Sequence, residues 1–182
     1  MALRRLCVFC GSRAGARPDY AELADELGRL MAARGIALVY GGSRVGLMQR
    51  LADAVLAGGG TAIGVIPHSL VDREIAHPGL TELHVVDTLH QRKALMADLS
   101  DGFTALPGGV GTMDELFDIV TWRALGLHHK PIALLDAGGF FAPLRAMLDH
   151  MMVEGFLDQD VRSMIASADR PEALLDALAA AA

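Results

Sequence analysis

The chain has 182 residues, a formal net charge of −6, and 52% apolar against 21% charged residues. That length suffices for a single domain, residues 1–182, burying roughly two-thirds of its unfolded surface, and the acidic balance excludes the basic face that a nucleic-acid polymer demands. No run of about 18 apolar residues could span a bilayer, and the apolar stretch after Arg4-Arg5 ends at Cys10, short of the roughly 7–15 residues of a signal peptide, so a cytoplasmic protein is expected.

In chain order, residues 5–10 predict a strand that ends in the glycine loop 11–15. The helix after Pro18-Asp19 carries Tyr20, Leu23, Leu27, Leu30 and Met31 on one stripe and closes at Gly35. Residues 36–40 are apolar throughout, as in a strand covered on both faces, and the loop 41–46 leads into a helix through Leu47, Leu51, Val55 and Leu56. A third strand at 61–66 stops at Pro67, and residues 67–80 read as a loop with one short helix, placed to cover a site. Strand 83–86, helix 89–99, strand 102–106, a helix from Thr112 to about Leu125, strand 131–135 and a helix from about 140 to 153 follow. Residues 161–165 are assigned a short edge strand, and Asp169 with Pro171 opens the last helix. Strands alternating with helices in this way predict an α/β fold, a doubly wound, Rossmann-like parallel sheet flanked by helices. The glycine loops 11–15, 41–46 and 107–111 each follow a strand and are expected to converge on one crevice at the carboxyl ends of the strands.

The stretch L-P-G-G-V-G-T-M-D-E-L-F-D at 106–118 is the centre of the chain's chemistry. A strand that runs through glycines straight into a helix leaves backbone N–H groups pointing at one spot, together with the positive end of the helix dipole, and so makes an anion site. Thr112 is placed to cap the helix, and Glu115 three residues on adds a carboxylate; the pair reads either as a capping box or as part of a catalytic site. A dinucleotide fingerprint is incomplete, because Asp114 stands where its third glycine would be, and no G-x-x-x-x-G-K-[ST] occurs.

A second cluster, His90-Gln91-Arg92-Lys93, opens the preceding helix. The chain has two lysines, Lys93 and Lys130, and adjacent cations at the positive end of a helix dipole make sense facing an anion. None of the seven histidines has metal-site spacing, so no metal and no cofactor are expected. Cys7 and Cys10, three apart on a strand, point to opposite faces and read as buried structural thiols. Trp122 reads as core or interface, Asp136 as a turn residue, and His128-His129 as compensation at a helix end.

P-G-G-V-G-T-M-D-E at 107–115 with L-H-Q-R-K at 89–93 closely resembles the LOG family of cytokinin riboside 5′-monophosphate phosphoribohydrolases, older members of which were labelled lysine decarboxylases. F-C-G-S at 9–12, Y-G-G-S-R-V-G-L-M at 40–48, T-W-R-A-L-G-L-H-H-K-P at 121–131 and E-G-F at 154–156 extend the likeness over nearly the whole chain. The resemblance implies hydrolysis of the N-glycosidic bond of a nucleoside 5′-monophosphate, adenosine or N6-modified adenosine, to free base and ribose 5-phosphate. It implies Arg92 and Glu115 as the catalytic pair, and Glu74, Arg92, Lys93, Gly108, Gly109, Val110, Gly111, Thr112, Met113, Asp114, Glu115 and Thr121 as substrate contacts. The family usually has an aromatic residue where Val110 stands and glutamate where Asp114 stands. A homodimer formed by the helices around 89–99 and 112–125 is expected from the apolar excess. Two other readings compete: a nucleotide or molybdenum-cofactor carrier without turnover, and a pyridoxal phosphate decarboxylase. A carrier has no need of a carboxylate beside a bound sugar phosphate, and the decarboxylase needs a Schiff-base lysine.

Overall fold

Six of the expected strands, joined by a seventh that starts later than expected, form one sheet. In the computed structural model, which describes residues 2–71 and 75–182, these are β1 (Arg5–Phe9), β2 (Ala37–Tyr40), β3 (Ala62–Pro67), β4 (Glu82–Val86), β5 (Gly102–Ala105), β6 (Ile132–Leu135) and β7 (Ile165–Ala168). Their order is β4-β3-β2-β1-β5-β6-β7 and every neighbouring pair is parallel. The chain winds outward from β1 to β4, then returns to the other side of β1 with β5. That reversal is the topological switch point, where a crevice opens beyond the strand ends.

The helices are α1 (Asp19–Ala33), α2 (Gly46–Ala57), α3 (His68–Val71), α4 (Leu89–Asp98), α5 (Val110–Ala124), α6 (Ala142–Val153), α7 (Gln159–Ser163) and α8 (Pro171–Ala181). Leu23, Leu27 and Met31 of α1, Leu47, Leu51 and Val55 of α2, and Leu174, Leu175 and Leu178 of α8 fill one side of the sheet. Met96 of α4, Leu116, Ile119 and Val120 of α5, and Leu148 of α6 fill the other. Alternation along β1 feeds both layers, with Leu6, Val8 and Cys10 on the first side and Cys7 and Phe9 on the second. The two thiols are thus free, buried and separated by the sheet, and burial pushes the pKa of each upward.

Two expectations are corrected. The edge strand placed at 161–165 is helix α7 up to Ser163, and β7 begins only at Ile165. Val161 and Ile165 are one helical turn apart and share a face, and the parallel register Ile132↔Ile165 puts the strand after them. Secondly, α5 starts at Val110 with Gly109 as its N-cap and no side-chain cap, so Thr112 is not the capping residue and Glu115 lies in the second turn. The capping box sits instead on α4, where Thr88 accepts from the Gln91 N–H at 3.1 Å and the Gln91 side chain accepts from the Thr88 N–H at 3.2 Å.

Elsewhere the structure agrees with the sequence in detail. Gly35 takes φ +66° just past α1, and the short helix α3 falls within 67–80. Asp136 is a turn residue, accepting from the Phe141 N–H at 2.8 Å and pairing with Arg145 at 3.1 Å. His128, by contrast, differs from the expected dipole compensation: burial lowers its pKa, and one ring nitrogen bonds the Ile119 carbonyl inside α5 at 3.0 Å while the other accepts from the Lys130 N–H at 3.2 Å.

Candidate active site

The three glycine loops meet. The Gly11 N–H donates to the Pro107 carbonyl at 3.1 Å, and the Leu47 N–H to the Gly11 carbonyl at 3.0 Å, so backbone bonds tie the ends of β1, β2 and β5 together. Gly108 must be glycine for space, since a Cβ there would lie 2.1 Å from Thr112 Oγ1 and 3.0 Å from the Gly11 nitrogen. Around this knot the crevice has two lobes that share Ser12, Gly109 and Val110. One, of about 450 Å³, runs between loop 11–15, Tyr20, Phe140 and Gly108. The other, of about 370 Å³, holds Arg92, Lys93, Asp114 and Glu115 on one side and Val45, Met48, Leu70, Ile75 and Leu89 on the other.

The glycine cap of α5 leaves its first-turn donors to the crevice. With Gly109 carrying no side-chain acceptor, the N–H groups of Val110, Gly111 and Thr112 have neither an intrahelical nor a cap partner. The first helical bond at this end is made by the Met113 N–H to the Gly109 carbonyl at 3.2 Å. An anion above residues 109–112 would satisfy these donors and meet the positive end of the dipole.

One helical turn deeper, Glu115 faces Arg92 across the lobe. The Arg92 Nη2 stands 3.1 Å from Glu115 Oε1, and both side chains are nearly closed to solvent, at 13% and 11% exposure. The Arg92 Nε donates to the Val65 carbonyl near the end of β3 at 3.1 Å, so the guanidinium is held at two points. Burial raises the pKa of Glu115; the Arg92 charge opposes that rise, and Asp114 adds to it. A desolvated carboxylate beside a fixed cation is the arrangement that catalytic acids and bases use.

Lys93 goes elsewhere. Its ammonium lies 3.0 Å from Asp114 and 2.5 Å from Asp118, on the rim of the same lobe. Burial alone would lower its pKa, but hydrogen bonds to Asp118 and Asp114 outweigh that and raise it. Lys130, the other lysine, donates to the Ala97 carbonyl at 2.7 Å and serves the end of α4.

Of the residues expected at the site, Gly108, Gly109, Val110, Gly111, Thr112, Asp114, Glu115, Arg92 and Lys93 line the crevice. Met113 does not line it and packs on the inner layer of the core. Thr121 is exposed on α5, about 9 Å beyond Glu115 along the helix. Glu74 lies outside the described residues. The sequence reading missed Ser12, Ser43, Met48, Leu70, Ile75 and Leu89 on the crevice walls, and Asp118 as a partner of Lys93. Asp118 carried a usable signal, being four residues after Asp114 and so on the same helix face. The wall at Leu70 and Ile75 falls in the 67–80 loop expected to cover a site, though not its individual residues; it is held by the Arg44 N–H on the Ile75 carbonyl at 2.8 Å and the His77 N–H on the Gly42 carbonyl at 2.9 Å. Among the described residues no three His, Cys, Asp or Glu side chains converge as a metal site requires.

Fold and site together define a Rossmann-like protein with a crevice at its switch point, in which a buried arginine–carboxylate pair stands beside an uncapped helix start. Residues 48–178 match the family described as possible lysine decarboxylase. A cytokinin riboside 5′-monophosphate phosphoribohydrolase of Rhodococcoides fascians is 52% identical over 89% of this chain and 82% of its own length. The cytokinin riboside 5′-monophosphate phosphoribohydrolase LOG of Oryza sativa subsp. japonica is 47% identical over 91% of this chain and 68% of its own. The chain belongs to this family. Among solved structures, a molybdenum cofactor binding protein from Rippkaea orientalis superposes with a TM-score of 0.72 at 21% identity, covering 97% of this chain and 96% of that one, a likeness of fold. No helix among the described residues is long and apolar enough to cross a membrane.

Proposed function

We propose that this protein hydrolyses the N-glycosidic bond of adenosine 5′-monophosphate or its N6-modified forms, releasing the free base and ribose 5-phosphate. The observation that carries this reading is the buried Arg92–Glu115 contact of 3.1 Å one helical turn from the uncapped start of α5. The relatives of known name act on such a monophosphate, and the crevice supplies what that reaction requires.

In this reading the 5′-phosphate sits on the N–H groups of residues 110–112, with Gly108 and Gly109 leaving room for it. Anchoring there fixes the sugar and turns remote binding energy into orientation. As the C1′–N bond breaks, its electron pair leaves with the base and positive charge grows on the sugar, as in glycoside hydrolysis. The Glu115 carboxylate stabilises that charge, water adds its oxygen to C1′, and the proton that the water gives up ends on the released base. Arg92 keeps Glu115 ionised and in place, while the apolar wall of Met48, Leu70, Ile75 and Leu89 receives the base. Exposed Val110 and Asp114 are contacts at the rim, and buried Thr112 is a contact beneath the loop. Glu74, Met113 and Thr121 stay in the proposed set on the resemblance to the family.

Exposed Phe117, Leu125 and Leu127 on and after α5, with Leu89 on α4, support assembly as a homodimer through these helices, which sedimentation analysis tests. A decarboxylase reading loses its Schiff-base lysine, because Lys93 is paired with two carboxylates and Lys130 with a backbone carbonyl.

The test is incubation of purified protein with AMP and with N6-isopentenyl-AMP, followed by chromatography for free base. Release is expected from the parent protein and not from Glu115→Gln. Tight binding of a nucleotide without release from any monophosphate would favour a carrier instead.

A further inference from the structure

Gly41 ends the buried run of β2, and sequence alone makes it one more loop glycine. A Cβ built on it would lie 1.9 Å from Arg92 Nη2 and 3.0 Å from Arg92 Cζ, with Met48 Sδ next at 3.4 Å. Nη2 is the same nitrogen that contacts Glu115. Backbone conformation does not explain the glycine, because φ is positive at Gly42, at +72°, and not at Gly41. A Cβ on Gly42 would stand 3.3 Å from Ile66 Cβ and Leu83 Cδ1 and 3.4 Å from the Gly64 Cα, with no atom of Arg92 among its nearest neighbours. The two neighbours therefore differ in kind: Gly42 serves the fold of the loop, whereas Gly41 leaves space that one guanidinium occupies.

We propose that Gly41 is a positioning residue for hydrolysis: its missing side chain is the seat in which the Arg92 guanidinium is held against Glu115. This rests on the hydrolase reading given above. Arg92 cannot yield the space without loss, because its Nε is bonded to the Val65 carbonyl and its Nη2 faces Glu115. A methyl group at position 41 must displace Nη2 by more than an ångström to reach ordinary contact. Glu115 then keeps its burial and loses its counter-charge. Loss of that charge removes the contribution that holds the Glu115 proton affinity down.

The experiment is a double-mutant cycle between Gly41→Ala and Arg92→Ala, read by base release from AMP and by the carboxyl carbon-13 titration of Glu115. Gly41→Ala is expected to melt within about 3 °C of the parent while its kcat falls about tenfold or more. Its Glu115 titration moves to higher pH. In the Arg92→Ala background the same change is expected to alter the residual rate and the titration by less than about twofold in rate and proton affinity, because the group it displaces is gone. Parent-like kcat and titration in Gly41→Ala, or equal losses in both backgrounds, overturn the proposal. Should Gly41→Ala fail to fold, the double variant, free of the clash, is expected to fold, and loss of fold in both overturns it too. If the parent releases no base from any monophosphate, the hydrolase reading fails, and the Glu115 titration still decides whether Gly41 acts through Arg92.

Discussion

Arg92 and Lys93 are consecutive, both cationic, and both line the same lobe, yet they end in different environments. Arg92 turns inward, is fixed at two points and meets a carboxylate that is itself buried. Lys93 is itself only 11% exposed, but its partners Asp114 and Asp118 are 59% and 34% exposed, so its ion pairs open to solvent on their acidic side. Ion pairs at such partly exposed sites contribute little, whereas a desolvated pair interacts strongly and leaves a costly orphan when one member is removed. A basic pair that looks uniform in sequence is thus one cation set against a buried carboxylate and one set against two carboxylates that reach solvent.

The largest effect should come from the inner pair. Glu115→Gln keeps the size of the side chain and removes its charge, and kcat for AMP is expected to fall by about 10²–10³-fold, measured by initial rates of base release. Equal rates in parent and variant would end the catalytic assignment. Next is the anion loop: adenosine, which lacks the phosphate that residues 110–112 would hold, is expected to give a kcat/KM about 10²-fold below that of AMP. Comparable values for the two would move the phosphate elsewhere.

The pH profile separates the two cations. Because burial raises the Glu115 pKa and the ionised form is required, kcat/KM should climb with pH through a limb above the usual glutamate range. Arg92→Ala removes the charge that opposes the shift, so its limb should move to still higher pH, with a large loss of rate below it. Lys93→Met removes a weaker opposing contribution and should move the limb less, with a KM for AMP raised about three- to tenfold and kcat nearly kept. If Lys93→Met moves the limb as far as Arg92→Ala does, the contrast between inner and rim cation is wrong.

The smallest effect concerns Asp114 on the rim. Asp114→Asn should change stability by less than about 1 kcal/mol in urea unfolding, since half-exposed pairs are screened and Lys93 retains Asp118.

The architecture was legible because local pattern carries it. Apolar runs such as 36–40, stripes such as Leu23, Leu27 and Met31, and glycines after three strands report burial on one face or two, and burial follows from the residues themselves. The motif at 107–115 and the cations at 92–93 were equally visible, and the fold brings them to one lobe as expected. What local pattern could not supply depended on distant partners. Thr112 and Glu115 have the spacing of a capping box, but α5 starts at Val110 behind a Gly109 cap, with Gly108 packed against Gly11, so the would-be cap lies inside the first turn. Val161 and Ile165 suit a strand or a helix, and only pairing with β6 divides them between α7 and β7.

Composition and periodicity therefore determine the layered sheet, its glycine-loop crevice and the chemical kinds of residue there, because each follows from what a side chain does to its own few neighbours. Which cation meets which carboxylate, where the helix dipole opens and why Gly41 has no side chain depend on atoms brought together from β2, β3, α4 and α5. Contacts of that range are settled by close packing in three dimensions, where an ångström of displacement separates a held guanidinium from a collision.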